Sequence, residues 1–122
     1  MILLTVRAVR PWHPTDPKVQ EVVAALEAGA WAVARAQRPA IEAMAARLDE
    51  DYLVLYGAEG DQNTPAVIDA FSRARALDVL VMALGVDETM AAKEALYEAY
   101  AALDDPAGDA LLTQVRSALA TA

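Results

Sequence analysis

The sequence predicts an all-α fold, a bundle of four to five helices that follows an extended, proline-rich N-terminal arm. Three observations predict it. Alanine, the strongest helix former, accounts for 29 of the 122 residues. Apolar side chains recur at intervals of three and four residues over long stretches, which is the spacing of one helix face. Finally, Asp or Thr followed by Pro begins three of these stretches, an order typical of helix N-termini.

The composition excludes several classes of protein. With 57% apolar residues the chain can fill a hydrophobic core, so it is not wholly disordered. It has no cysteine, which excludes a disulfide framework, thiol catalysis and thiolate metal sites. The longest uncharged apolar runs are far shorter than a bilayer span, and residues 1–6 are too short for a signal-peptide core. We therefore expect no membrane segment.

The N-terminal residues are expected to form the arm. Residues 1–9 contain leucines and β-branched side chains, and prolines 11, 14 and 17 follow within seven residues. Because proline disfavours a regular helix, residues 1–16 are predicted to be extended, with residues 1–9 either an edge strand or part of the arm. Residues 17–122 are then predicted to form a single helical domain.

The first predicted helix covers residues 17–37. Thr15 or Asp16 can cap it, and Pro17 in the first turn lacks the donor that would stay unpaired there. Pro39 is expected to end it. Its buried stripe is Val19, Val22, Val23, Leu26, Ala30 and Val33.

The middle of the chain is ambiguous between helix and strand. Residues 52–56 and 78–82 resemble strands, and with residues 2–9 they would make a small three-layer α/β domain. Helical stripes, however, extend over about fifteen residues in each case, whereas the strand pattern covers five or six. The sequence therefore favours helices over residues 39–56 and 65–84. Asp69 and Arg73, four residues apart, are predicted to form an ion pair on the outer face.

Turn and cap signals bound the later helices. Asn63 or Thr64 is expected to cap the helix that Pro65 opens, and Gly85 is expected to end it in a left-handed conformation, with Val86 packing back on the helix. Helices over residues 88–103 and 106–120 follow, capped by Asp87 and Asp105. The predicted core consists of Val23, Leu26, Met44, Leu48, Leu55, Phe71, Leu77, Val81, Leu84, Leu96 and Leu103.

The sequence contains no recognisable catalytic or metal-binding motif. His13 is the only histidine, and no neighbour in sequence orients it as a base. The acidic clusters are typical of a solvated face. Gly57, Gly60 and Asp61 lie in a loop that lacks the lysine and hydroxyl of a phosphate-binding motif. We expect no enzyme activity, no cofactor and no metal.

The charge is divided unevenly along the chain. Residues 1–40 carry a net charge of +2 and residues 41–122 carry −10, which gives −8 in total. An acidic body repels a phosphate backbone, so direct nucleic-acid binding is not expected. The basic start can instead dock on an acidic surface, including that of another copy. Candidate partner-binding residues, chosen because Trp, Tyr and Arg dominate protein interfaces, are Arg7, Arg10, Trp12, Trp31, Tyr97 and Tyr100.

Two segments carry a resemblance to a known family. These are TPAVIDAFSRARAL at residues 64–77 and ALYEAYAAL at residues 95–103, with Gly108 following. In order and composition they resemble small helical head–tail connector (adaptor) proteins of tailed bacteriophages. The resemblance implies a non-enzymatic structural subunit that forms an oligomeric ring with itself and contacts other virion proteins. It also implies a location in the virion or the host cytoplasm.

Two alternative functions stay open on the sequence alone. The first is a cytoplasmic helical protein that binds a partner or regulates it. The second is a small α/β ligand-binding domain that uses the loops after Tyr56 and Leu84, in which Gly57, Gly60 and Asp61 would be the residues to test first.

Overall fold

The computed structural model describes residues 2–12, 15–59 and 64–121, and within these ranges no residue forms a strand. The predicted all-α class is confirmed. The segments at residues 52–56 and 78–82 both lie inside helices, which excludes the three-layer α/β alternative. The helices are α1 (Ile2–Val9), α2 (Pro17–Glu27), α3 (Trp31–Ala36), α4 (Arg38–Glu59), α5 (Pro65–Ala83), α6 (Glu88–Ala102) and α7 (Asp105–Ala120), with a short 3₁₀ turn at Arg10–Trp12.

The N-terminal segment is a helix, and the prediction of an extended arm over residues 1–16 is wrong for residues 2–12. Ile2, Thr5, Val6 and Val9 follow helical spacing, and all four are buried. The Thr5 hydroxyl donates to the Ile2 carbonyl at 2.7 Å, so its burial leaves no unpaired donor. Contacts of α1 with α5, α6 and α7 override the weak β preference of its side chains. His13 and Pro14 lie outside the described residues.

The first predicted helix, residues 17–37, is divided into α2 and α3 by Gly29. This residue has φ = +73°, a left-handed conformation that glycine adopts at little cost and that other residues adopt rarely. Its N–H donates to the Leu26 carbonyl at 3.1 Å, which closes the end of α2. The break predicted near Pro39 is confirmed, because α3 ends at Ala36 and α4 begins at Arg38. Pro39 lies in the first turn of α4, where its missing N–H leaves no hydrogen bond unmade.

Three of the predicted caps are confirmed and one is displaced by a residue. Asp16 accepts from the N–H groups of Lys18 and Val19, Thr64 accepts from Val67 at 3.3 Å, and Asp87 accepts from Met90 at 3.0 Å. The cap of α7 is Asp104, which accepts from the Ala107 N–H at 2.9 Å. Asp105 and Pro106 therefore lie in the first turn.

Gly85 follows α5 for a different reason than predicted. Among the described residues only Gly29 has positive φ, so Gly85 is not left-handed. A Cβ on Gly85 would lie 3.2 Å from the Met82 carbonyl oxygen and 3.4 Å from the Ala91 Cβ, so the residue is small because α6 approaches closely. Val86 does not pack back on the helix, because it is 83% exposed.

Helix α5 is the centre of the fold. Helices α4 and α6 pack along it, α1 packs on α6 and α5, and α7 contacts α1 and α6. Small side chains line these contacts, because Ala74, Ala76, Ala83, Ala95 and Ala99 are almost completely buried. Alanine at a helix contact lets the two backbones approach closely.

The predicted core is confirmed in part. Val23, Leu26, Leu77, Val81 and Leu84 are buried. The remaining members are only partly buried, because alanines occupy the centre of the helix contacts and displace the larger side chains toward the margins. These partly buried members are Met44, Leu48, Leu55, Phe71, Leu96 and Leu103.

Truncating a buried α1 side chain should destabilise the chain. Val6 is 1% exposed, so Val6→Ala is expected to lower the free energy of unfolding by about 2 kcal/mol through lost burial and an unfilled cavity. Chemical denaturation measures this. The control, Leu119→Ala at a 60% exposed position of α7, should stay within about 0.5 kcal/mol. Equal values for the two variants would contradict a core position for α1.

Two glycine-to-alanine substitutions should have opposite effects. Gly29→Ala is expected to cost about 1 kcal/mol or more, because its positive φ strains any residue with a Cβ. Gly57→Ala, inside α4 with no atom within 4 Å of the new Cβ, should stabilise the chain by about 0.5–1 kcal/mol. Thermal unfolding of both variants checks the sign, and stabilisation by Gly29→Ala would contradict the left-handed turn.

Candidate assembly surfaces

Arg75 gathers three carboxylates from three helices. Its Nη2 atom lies 2.7 Å from Asp49 of α4 and 3.0 Å from Asp78 of α5, and its Nη1 atom lies 3.7 Å from Glu98 of α6. The guanidinium also lies 5.6 Å from the centre of the Phe71 ring. We call Asp49, Arg75, Asp78 and Glu98 the Arg75 cluster. It holds α4 and α6 to the central helix and has a net charge of −2.

Burial and charge shift the proton affinities in this cluster. The pKa of Asp78 is raised to about 6, mainly because burial removes solvent from its carboxyl group; Arg75 opposes this rise, and the neighbouring Asp49 and Glu98 carboxylates add to it. Burial lowers the pKa of Arg75, but the surrounding carboxylates raise it more, so its pKa lies above its usual value. The cluster therefore retains its cation and binds a proton at Asp78 more readily than a solvated aspartate would.

An open groove of about 300 Å³ lies beside the cluster, between α5 and α6. Tyr97 is 75% exposed there, and Glu94 makes no ion pair within the described part of the chain. An apolar floor, an aromatic side chain and carboxylates together suit a guanidinium or an ammonium group. We call this the α6 groove. It is lined by Met82, Lys93, Glu94, Tyr97 and Glu98.

The predicted N-terminal partner residues lie mainly around α1 and α2. Arg7 is exposed and its Nε atom lies 3.3 Å from Glu27 of α2. Arg10 is also exposed but forms no ion pair with any described residue. Trp12 is half-buried and packs against the core. Trp31, at the start of α3, is half-buried too, with the Arg35 guanidinium 5.9 Å from its ring centre.

Arg10 and the α6 groove lie on different faces of α5. Arg10 shares a crevice with Ala76 and Leu80, whereas Met82 forms part of the groove. Because a helix turns by about 100° per residue, Leu80 and Met82 point about 200° apart. The two surfaces therefore cannot meet within one copy of the chain.

The two predicted tyrosines lie three residues apart on α6 and have different surroundings. Tyr97 lines the α6 groove, whereas the Tyr100 ring lies over Gly108 of α7, 3.1 Å from where a Cβ on that glycine would be. Because Gly108 has no side chain, the Tyr100 ring can lie directly against the backbone of α7. Of the six predicted residues, the structure places Arg7, Arg10 and Trp12 on the N-terminal segment, Trp31 on α3, and Tyr97 and Tyr100 on α6.

Sequence reasoning missed both the Arg75 cluster and an exposed apolar surface on α4. Arg75 and Asp78 are three residues apart, which is a local signal, but Asp49 precedes Arg75 by 26 residues. Leu53 and Val54 are 64% and 74% exposed, and they lie off the stripe that packs on α5. The sequence already shows that both residues lie off this stripe, and from that position an outward-facing apolar surface could have been predicted.

The loop after Tyr56, which the alternative of a ligand-binding domain requires, is not present in the described residues. Gly57 lies within α4, and Gly60 and Asp61 lie outside the described residues. Within residues 2–12, 15–59 and 64–121, no group of three or more His, Asp or Glu side chains could hold a metal ion. None of the helices in these ranges has the length and apolar character needed to cross a membrane.

Comparisons with known proteins find no relative. No model of a protein family matches the chain, and neither a curated protein nor a solved structure does.

The Arg75 cluster should make stability depend on pH. The pKa of about 6 for Asp78 in the folded chain exceeds the ordinary 3.8, so the folded state binds a proton more readily than the unfolded state. The free energy of unfolding should therefore fall, on the order of 1–2 kcal/mol, as pH rises from about 4 through about 6.

Asp78→Asn should remove this part of the pH dependence in denaturation curves measured at several pH values. The control, Asp69→Asn, breaks the exposed ion pair with Arg73 at 2.9 Å and should keep the slope, because Asp78 is unchanged. If Asp78→Asn keeps the slope of the unsubstituted chain, another group is responsible.

Proposed function

We propose that this chain is a non-enzymatic structural subunit that assembles head-to-tail with copies of itself, as a head–tail connector of a tailed bacteriophage would. The ring partner is the chain itself, and other virion proteins are further partners. The proposal locates the protein in the virion or the host cytoplasm.

One observation carries the proposal: unlike surfaces lie on different faces of α5. Arg10 lies against Ala76 and Leu80, and the acidic, aromatic α6 groove begins at Met82. Contact between two different surfaces is heterologous, and such a contact forms a closed ring when the rotation per subunit divides a full turn.

The charge distribution supports the same arrangement. Residues 1–40 are net basic and residues 41–122 carry −10, so opposite charges attract between copies while the body stays acidic. A channel lined by an acidic body repels DNA that passes through it and does not retain it. This property suits a connector better than a DNA-binding protein.

Exposed apolar side chains also support assembly. Leu53, Val54 and Ile68 are exposed on α4 and α5, and Val86 and Met90 are exposed where α6 begins. The two groups lie near opposite ends of α5, which is about 27 Å long. Large apolar side chains on a small chain are typical of surfaces that partners cover.

The head–tail connector assignment depends on the resemblance of residues 64–77 and 95–103 to that family. Genes for a portal and a capsid protein beside the gene for this chain would support it. Metabolic or regulatory neighbours would favour the alternative of a cytoplasmic partner-binding protein.

Sedimentation velocity and native mass spectrometry test the assembly. We expect one discrete oligomer at low salt and dissociation in about 1 M salt, where charges are screened beyond about 3 Å. The variant Arg7→Glu combined with Arg10→Glu should weaken the oligomer while leaving the buried side of α1 unchanged, because Ile2, Val6 and Val9 belong to the core and the two arginines do not. A monomer at every protein and salt concentration would overturn the proposal.

A further inference from the structure

We propose that the α6 groove is the acceptor site of the assembly contact and that it receives the Arg10 side chain of a second copy. This inference rests on the head-to-tail assembly proposed above and names the residues on both sides of it. The ligand is thus a guanidinium group presented by a rigid, proline-containing turn.

The acceptor has the features that a guanidinium needs. The ring of Tyr97 is available for stacking, the Glu94 carboxylate has no ion pair among the described residues, and Met82 supplies an apolar floor. A guanidinium is planar, so it can stack on the ring while it donates to a carboxylate. Among the lining residues, only Lys93 is positively charged and opposes the binding of a guanidinium.

Glu98 is already oriented within the site. Its carboxylate lies 3.7 Å from Arg75, which in turn contacts Asp49 and Asp78. The groove and the Arg75 cluster together have a net charge of −2, so the face keeps an excess of negative charge after its internal pairs are counted. A positive side chain from outside would reduce that excess.

Arg10 is the N-terminal cation best suited as the donor. Arg7 is paired with Glu27, Lys18 with Glu21 and Arg38 with Glu42 within the same chain. Arg10 forms no such pair with a described residue and is exposed. Pro11 follows it and restricts the backbone, so ordering this segment on binding costs less conformational entropy.

Capture within one copy is excluded by the placement of the two groups. Arg10 lies at the face of α5 that carries Ala76 and Leu80, and the groove opens on the face of Met82, about 200° around the helix from Leu80. The pairing therefore has to form between copies.

A charge exchange tests the pairing. Arg10→Glu and Glu94→Arg should each weaken self-association at least about tenfold in sedimentation velocity, and the double variant should recover most of it. The matched control is Arg116→Glu, at an exposed position of α7 that lines neither the crevice of Arg10 nor the α6 groove; it makes the same charge change as Arg10→Glu and should stay within about twofold of the unsubstituted chain. Thermal unfolding verifies that each variant folds.

Tyr97→Ala provides a second measure because the ring is exposed and its loss should not affect folding. It should weaken association about as much as Glu94→Arg. If the single variants assemble like the unsubstituted chain, this contact is wrong while the proposed assembly stands. If both single variants lose self-association and the double variant does not recover it, direct pairing of Arg10 with Glu94 is also wrong. If the unsubstituted chain itself does not assemble, the proposed function fails.

Discussion

The burial of α5 is the constraint on which the rest of the structure depends. Apolar residues surround this helix, and three consecutive side chains, Val79, Leu80 and Val81, are buried. A helix that is apolar on nearly all sides is stable in water only when neighbours cover it. Helices α4, α6 and α1 supply that cover, and their alanines allow close approach. The short loop at Gly85 follows from the same requirement, since α6 has to begin directly against the end of α5.

A polar, partly covered side of α5 explains the Arg75 cluster. Where the helix is not fully covered, Arg75 and Asp78 replace apolar residues and contact carboxylates from both neighbouring helices. Half-buried charges of this kind contribute little net stability, because desolvation offsets much of their attraction. Their geometric effect is larger, since a guanidinium with three fixed partners sets the relative position of α4, α5 and α6. The same arrangement leaves the neighbouring α6 groove acidic.

The small side chains of the core have a consequence for the surface. Alanines occupy the contacts between helices, so many larger apolar side chains are left at the margins or outside, as Leu53, Val54 and Tyr97 are. A chain of this kind gains stability when a partner covers those side chains, because binding to the folded state alone shifts the folding equilibrium. Assembly and folding are therefore expected to support each other, which suits a subunit whose function depends on being one of several copies.

The sequence by itself determined what depends on neighbours within one helix. The caps at Asp16, Thr64 and Asp87 and the Asp69–Arg73 pair at 2.9 Å are set by residues two to four positions apart, so their pattern was sufficient. Only the tertiary structure decided that residues 2–9 form a helix. Their side chains suit a strand in isolation, but they gain burial as a helix against α5 and α6. It also decided the candidate site. Asp49 and Glu98 reach Arg75 from separate helices, and no spacing along the chain shows which distant faces will meet once the core closes.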